Sequence, residues 1–387
     1  MQVPFHAVVL ATLVAVATFA QVIPLAFSVG CDNSTSYPFQ RERGCFKPAF
    51  TREIDNGGDP FIIVRFSAFN LPRNDYVLLR SLETGATVKL SGAEYHGAFD
   101  APSINGSRLR LELYTRAIPA GGSSSPSTCT GFHVVGYTSV LQSPPTHEAV
   151  CGGNVERTQE AACFNHSPIM TARSRAVARL VINKDGVLTG CTGFLLGNEG
   201  HFITNNHCIA TQSHASKTRF EFMAQTMTCP TKIGDTVCDK QLACPGDVWR
   251  GTATFLYTNE KLDYTIVLLD RSVVARYSYL KLRLAGPIVG EPIYSVQHPQ
   301  AWGKRITDKT AWGKATIQST NSLEASYLLD TRPMASGSPV LSTTDHSVVA
   351  LHHGSLTQTT CPNFGIKSDL IANDLESLGL VPDTAFS

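Results

Sequence analysis

The tetrapeptide Ser336-Gly337-Ser338-Pro339, inside the stretch LDTRPMASGSPVL from Leu329 to Leu341, places a small hydroxyl on a backbone that can turn sharply around it. That hydroxyl needs company. A serine is a poor nucleophile at neutral pH, so it requires a base within hydrogen-bond reach and donors aimed at the oxyanion that forms on attack.

Two other stretches offer the missing partners. From Gly190 to Ala210, GCTGFLLGNEGHFITNNHCIA, a small-residue and apolar run leads through Phe202-Ile203-Thr204 into His207, followed at once by Cys208. From Leu262 to Leu269, LDYTIVLL sets Asp263 at the mouth of a run with strong strand propensity, which suits a buried carboxylate orienting an imidazole. The chain order is then His207, Asp263, Ser336. That order, with SGSP around the serine, resembles the trypsin-like, chymotrypsin-fold serine proteases, nearest the branch of the bacterial glutamyl endopeptidases. The likeness covers roughly the last 215 residues, from Arg173 onward.

The resemblance implies a mainly β fold: a chymotrypsin-like double β-barrel with a C-terminal helix. It implies catalysis by His207, Asp263 and Ser336, with an oxyanion hole made by the backbone N–H groups of Met334 and Ser336. Ser338 is rejected as nucleophile because it lies past the turn. A glycine is usual at the position of Met334, so this chain departs from the family there. Ala335 replaces the aspartate that pairs with a new N-terminus in pancreatic-type enzymes, so that activation switch cannot operate. For substrate binding the family positions are Asp330, Thr331 and His352. The first suits a basic side chain and the other two an acidic one. Next to them, His353 reads as an exposed strand-end residue. By the same resemblance Cys191 and Cys208, 17 residues apart, close the loop around the histidine. A disulfide over such a loop is typically worth about 3 kcal/mol.

Composition narrows the partners. The 32 Lys and Arg against 31 Asp and Glu leave a net charge of +1, which suggests neither nucleic acid nor an anionic membrane surface. A protein or peptide substrate is expected, and no cofactor. Residues 1–20 read as an export signal, because Ala7 to Ala20 is small or apolar and ends at a small-residue site. The apolar character resumes at Val22 to Phe27, so cleavage as late as Gly30 is conceivable. Eleven cysteines fit an oxidising compartment, and the sequons at Asn33, Asn105 and Asn165 agree with secretion. The expected location is extracellular, with no membrane contact once the signal is removed. Cys229, Cys238 and Cys244 share one insertion whose connectivity is open. With no paired CxxC and no HExxH, no metal is expected there.

Ahead of the protease-like part, residues 31–142 show short strands between turn clusters. Leu109, Leu111 and Leu113 alternate with Arg110, Glu112 and Tyr114, a strand with one apolar face. A small antiparallel β-sandwich is expected, vaguely similar to CUB-like domains, with a glycan or a protein as possible ligand. Asp55, Asp59 and Asp75 read as turn residues, with calcium the competing use. Residues 143–172 are Pro-containing and polar and carry Cys151 and Cys163, like a linker stapled by one disulfide, before a domain over 173–387. A processing cut near Arg173-Ser174-Arg175 would make residues 21–172 a pro-region. Ser368 is expected to cap a last helix with Ile371, Leu375 and Leu378 on its apolar face and Gly379 as its stop. Val340 to His353 reads as a hairpin whose second arm pairs with extended substrate backbone. The alternative to a working endopeptidase is an inactive homologue that binds a protein, motivated by Met334 and Ala335.

Overall fold

The computed structural model describes residues 22–30, 37, 47–115, 130–143, 148–153, 155–230, 238–355 and 361–387. The expected signal segment and the sequon at Asn33 lie outside these. The first body is a sandwich. One sheet runs in the order Ile23–Val29, Gly131–Thr138, Phe61–Asn70, Phe99–Asp100, and the other in the order Phe50–Asp55, Arg108–Tyr114, Tyr76–Ser81, Thr87–Ser91. Period-2 alternation is the cause. Leu109, Leu111 and Leu113 are fully buried between the sheets with Val77, Leu79 and Phe66, where each Leu contributes about 1.5–3 kcal/mol. Ile23–Val29 forms one edge of the first sheet, paired with Gly131–Thr138. A signal cut as late as Gly30 would remove that strand.

Next comes a seven-stranded antiparallel sheet in the order Asp247–Val248, Thr218–Phe222, Val177–Lys184, Val187–Leu196, His201–Thr204, Tyr264–Leu268, Thr254–Asn259. An eight-stranded sheet follows, with Pro339–Ser342 at its centre between Ile293–Gln297 and Val348–Ser355. The helix Ser368–Leu378 closes the chain. The fold is therefore mainly β, in the two-sheet arrangement with a terminal helix that the serine stretch led us to expect. Helix and sheets share a core, because Ile371 and Leu375 are buried with Leu282, Leu351 and Ile366.

Several expectations need correction. Ser368 is the first helical residue rather than its cap, and its hydroxyl donates to Arg283 O at 2.8 Å. Leu378 is exposed, while Gly379 does end the helix in the left-handed region at φ 59°. The hairpin forms, but its second arm is no free edge: Val348–Ser355 pairs with Pro339–Ser342 on one side and Asn363–Lys367 on the other.

Cys151 and Cys163 do not staple a linker to itself. Cys151 is bonded to Cys361 and Cys163 to Cys229, while Cys238 pairs with Cys244. The stretch between sandwich and sheets is docked, with Glu148, Ala149, Cys151, Thr158 and Glu160 all buried. It includes the short helix Pro168–Ser174.

The sandwich also packs on the seven-stranded sheet. Phe61 and Ile63 share a buried cluster with Val181, Leu188, Ala301 and Met334. Asn183 Nδ2 donates to Asp100 at 2.7 Å, and Arg65 reaches Gly186 O at 3.1 Å. A cavity of about 580 Å³ remains at this junction, lined in part by Tyr95, Phe99 and Trp249.

Candidate active site

Strand register brings the histidine and the aspartate together. Thr204 pairs with Thr265, so the turn after His201–Thr204 and the residue before Tyr264–Leu268 leave the sheet at the same end. Asn205 closes that turn, accepting on its carbonyl from the Cys208 and Ile209 N–H groups and donating its amide to Asp263 O at 2.8 Å. Asp263 sits at φ 40°, a left-handed conformation that Asp tolerates better than most residues. Its carboxylate then meets His207 twice. One oxygen accepts from the His207 N–H at 3.0 Å, and the other lies 2.8 Å from Nδ1. A ring that donates from Nδ1 presents Nε2 as an acceptor, the form a general base needs. Cys191 and Cys208 are bonded, tying this turn to Val187–Leu196.

The serine comes from the other sheet. Gly337 has φ 89°, and a Cβ there would lie 2.1 Å from Thr192 O, so only glycine fits this turn. Thr192 joins the two halves: its N–H donates to Ser336 O at 2.9 Å and its hydroxyl to Met334 O at 3.1 Å. Ser338 turns inward on its own loop, its hydroxyl donating to Ala335 O at 2.5 Å. Cys208 Sγ lies 3.9 Å from Ser336 O, and one ring nitrogen of His207 lies within 4.8 Å of that sulfur. His207 and Ser336 therefore flank one disulfide. His207 Nε2 is nevertheless buried without a hydrogen-bond partner among the described residues. Ser336 Oγ donates instead to Glu148 Oε1 at 2.9 Å, and the Ser336 N–H donates to the same oxygen at 3.1 Å.

Met334 is wholly buried at φ 79°, a region that favours glycine, and its side chain fills the cluster shared with the sandwich. The substrate-binding candidates have diverse neighbours. Asp330 is fully buried and accepts from the Cys151 N–H at 2.7 Å and the Arg157 N–H at 2.9 Å. The Arg157 guanidinium lies 3.6 Å away, and burial still raises this carboxyl above its usual range. Thr331 donates its N–H to Ala149 O at 3.1 Å, and its hydroxyl is buried without a partner among the described residues. His352 is fully buried, with Nδ1 2.7 Å from the Tyr327 hydroxyl and Nε2 3.3 Å from Glu148 Oε2. His353 is half-buried rather than exposed. Its Nε2 lies 2.9 Å from Glu324, which that hydrogen bond holds below the usual carboxylate range, and its Nδ1 lies 3.8 Å from Asp263.

Glu148 was invisible to sequence reasoning. It stands in a polar, Pro-containing stretch with no periodicity or motif to mark it. The three acids of the sandwich are engaged locally: Asp55 accepts from the Gly57 N–H, Asp59 from Ser139 and Asp75 from Tyr37. Among the described residues the one His/Cys/Asp/Glu cluster with metal-like spacing is Cys191, His207 and Cys208, whose sulfurs are spent on their own bond.

A histidine clamped by an aspartate from one β-sheet and a serine on a glycine turn from the next sit on the two-sheet fold of the trypsin-like serine-protease class. The sequence comparisons make this particular: over residues 155–365, more than half of its length, the chain belongs to the family described as the lysyl endopeptidase C-terminal domain. It is also 38% identical over 371 residues, covering 93% of this chain and 90% of the relative, to "Secreted RxLR effector protein 73" of Plasmopara viticola. Solved structures that it resembles include a serine endoprotease from Yersinia pestis, with a TM-score of 0.41 at 14% identity over 54% of this chain and 64% of that one. Another is the HtrA-type protease AlgW with a tripeptide, with a TM-score of 0.40 at 15% identity over 54% and 61%. Both likenesses span less than two thirds of the solved chain.

Proposed function

We propose that this chain is a secreted serine endopeptidase acting through His207, Asp263 and Ser336. The observation that carries this reading is the two-point clamp of Asp263 on the backbone and ring of His207. In the reaction Ser336 Oγ attacks the scissile carbonyl while His207 Nε2 takes its proton, and the tetrahedral oxyanion is held by the N–H groups of Ser336 and Met334. The C–N bond then breaks as His207 delivers the proton to the leaving amine. Water hydrolyses the acyl-enzyme by the same route. Asp263 holds the ring and stabilises its cationic form.

On specificity we favour a charged side chain: a basic one is what the description of the matched family suggests, and an acidic one is what Thr331 and His352 would suit. Asp330 is committed to the Cys151 and Arg157 N–H groups, whereas His352 already faces a carboxylate. Residues 31–142, vaguely CUB-like, are read as an accessory module for a glycan or protein ligand, residues 143–172 as the connection and 173–387 as the protease domain. Four disulfides among the described residues suit an oxidising compartment, and the Plasmopara relative is by name secreted.

A fluorophosphonate probe tests the activity. Labelling is expected on Ser336, lost in Ser336→Ala and strongly reduced in His207→Ala. If no labelling occurs even after the site is opened, the chain is a protein-binding homologue. That second reading draws on Met334 and on the hydroxyl of Ser336 being given to Glu148 rather than His207.

A further inference from the structure

We infer that Glu148 is an internal ligand of the serine site and keeps it closed. Glu148 is buried, its side chain 0% exposed, and its carboxylate meets three groups of the site. One oxygen accepts from both the N–H and the hydroxyl of Ser336, and the other lies 3.3 Å from His352 Nε2. Each contact removes something a substrate needs. The Ser336 N–H is one of the two donors for the oxyanion, the hydroxyl proton is turned away from His207, and His352 is covered.

The grip does not come from Glu148 alone. Ala149 donates its N–H to Asn363 Oδ1 at 3.1 Å, and its carbonyl accepts from Asn363 Nδ2 at 2.8 Å and from the Thr331 N–H. Cys151 then bonds to Cys361 and gives its N–H to Asp330, while Arg332 holds Glu156 at 2.5 Å. The strap is thus fixed on both sides of the serine loop, and a chain cut elsewhere leaves it in place. What it presents is a carboxylate, so the ligand class that competes for the emptied site is a carboxylate on a peptide or small acid.

The inference rests on Ser336 being the nucleophile only for its activity readout, so the test has two arms on the full chain. In the first, Glu148→Ala labels with a fluorophosphonate at least tenfold faster than wild type, and N-acetylglutamate slows the variant but not the wild type. Measurable labelling at equal rates in the two proteins overturns the inference, whereas silence in both discards the endopeptidase reading and leaves the decision to the second arm.

The second arm needs no catalysis. In a Ser336→Ala background, which keeps the N–H donor, calorimetry is expected to detect N-acetylglutamate binding only when Glu148→Ala is also present. Equal binding with and without Glu148, or none in the double variant, overturns it, even where a silent first arm has already discarded the endopeptidase reading. Should Glu148→Ala fail to fold, Glu148→Gln has the same shape but no charge to offer His352. It is expected to label faster than wild type and to bind N-acetylglutamate in the second arm, and wild-type behaviour in both overturns the inference.

Discussion

Asp263 does two things for His207, and Asp263→Asn separates them. An amide keeps one acceptor for the backbone N–H but turns its NH₂ toward Nδ1, which moves the ring proton to Nε2 and abolishes the base. Loss of about 10⁴ in kcat is expected from such a tautomer change, with little loss of stability. Steady-state kinetics beside a thermal melt would check both. Lys304 carries a different burden. It is fully buried, its Nζ donates to Ser174 O at 2.7 Å, and burial pushes its pKa down to about 7. Between pH 7 and the ordinary lysine range near about 10.4, the unfolded chain holds a proton that the folded chain lacks, so stability rises with pH across that window. Lys304→Met removes this dependence. Its unfolding free energy relative to wild type should shrink steadily from pH 7 to pH 10 in urea titrations, and a gap that ignores pH would count against the assignment.

At the scale of elements, the serine turn and the strand behind it are one construction. Thr192 takes Ser336 O on its N–H and gives its own carbonyl to the Thr204 hydroxyl at 2.7 Å, so two strands of the first sheet brace a loop of the second. Gly337→Ala sets a methyl against that carbonyl and also forces alanine to φ 89°. A cost of at least about 1–3 kcal/mol is expected from the backbone alone, read as a lowered denaturation midpoint and a probe-silent Ser336. Local sequence announced this turn because Gly and Pro act within four residues. It gave no sign that Val348–Ser355 would be paired on both sides, since a strand's neighbours are chosen by the rest of the sheet.

Across the whole molecule, covalent links decide what processing can do. Cys151–Cys361 and Cys163–Cys229 both span the Arg173-Ser174-Arg175 segment. A chain clipped there by trypsin should therefore run as one band unreduced and separate into two on adding a dithiol. Separation without reductant would contradict these pairings. A pro-region reading of residues 21–172 has to accept that the cut ends stay joined. The sandwich is likewise more than an appendage, since Phe61 and Ile63 bury the same face as Met334. That contact gives a physical account of a departure that looked like a defect. A methionine where glycine is usual holds a left-handed backbone at φ 79°, at a cost of roughly 1–2 kcal/mol, while its side chain fills the junction between two bodies.

What the sequence alone determined is whatever acts over a few residues. It gave the alternation that makes Arg108–Tyr114 a strand, the Ser-Gly turn, Asp263 at the head of a β run, and His207 beside a cysteine. These depend on backbone sterics and on the two-residue side-chain period, which are local by nature. Only the tertiary structure decided which groups face one another: Asp330 with the Cys151 N–H, Glu324 with His353, and Glu148 with a serine 188 residues away. Such pairings follow from how sheets stack and which surfaces exclude water. No pattern along the chain carries that information, because the energy that selects them arises only once distant segments are already packed together.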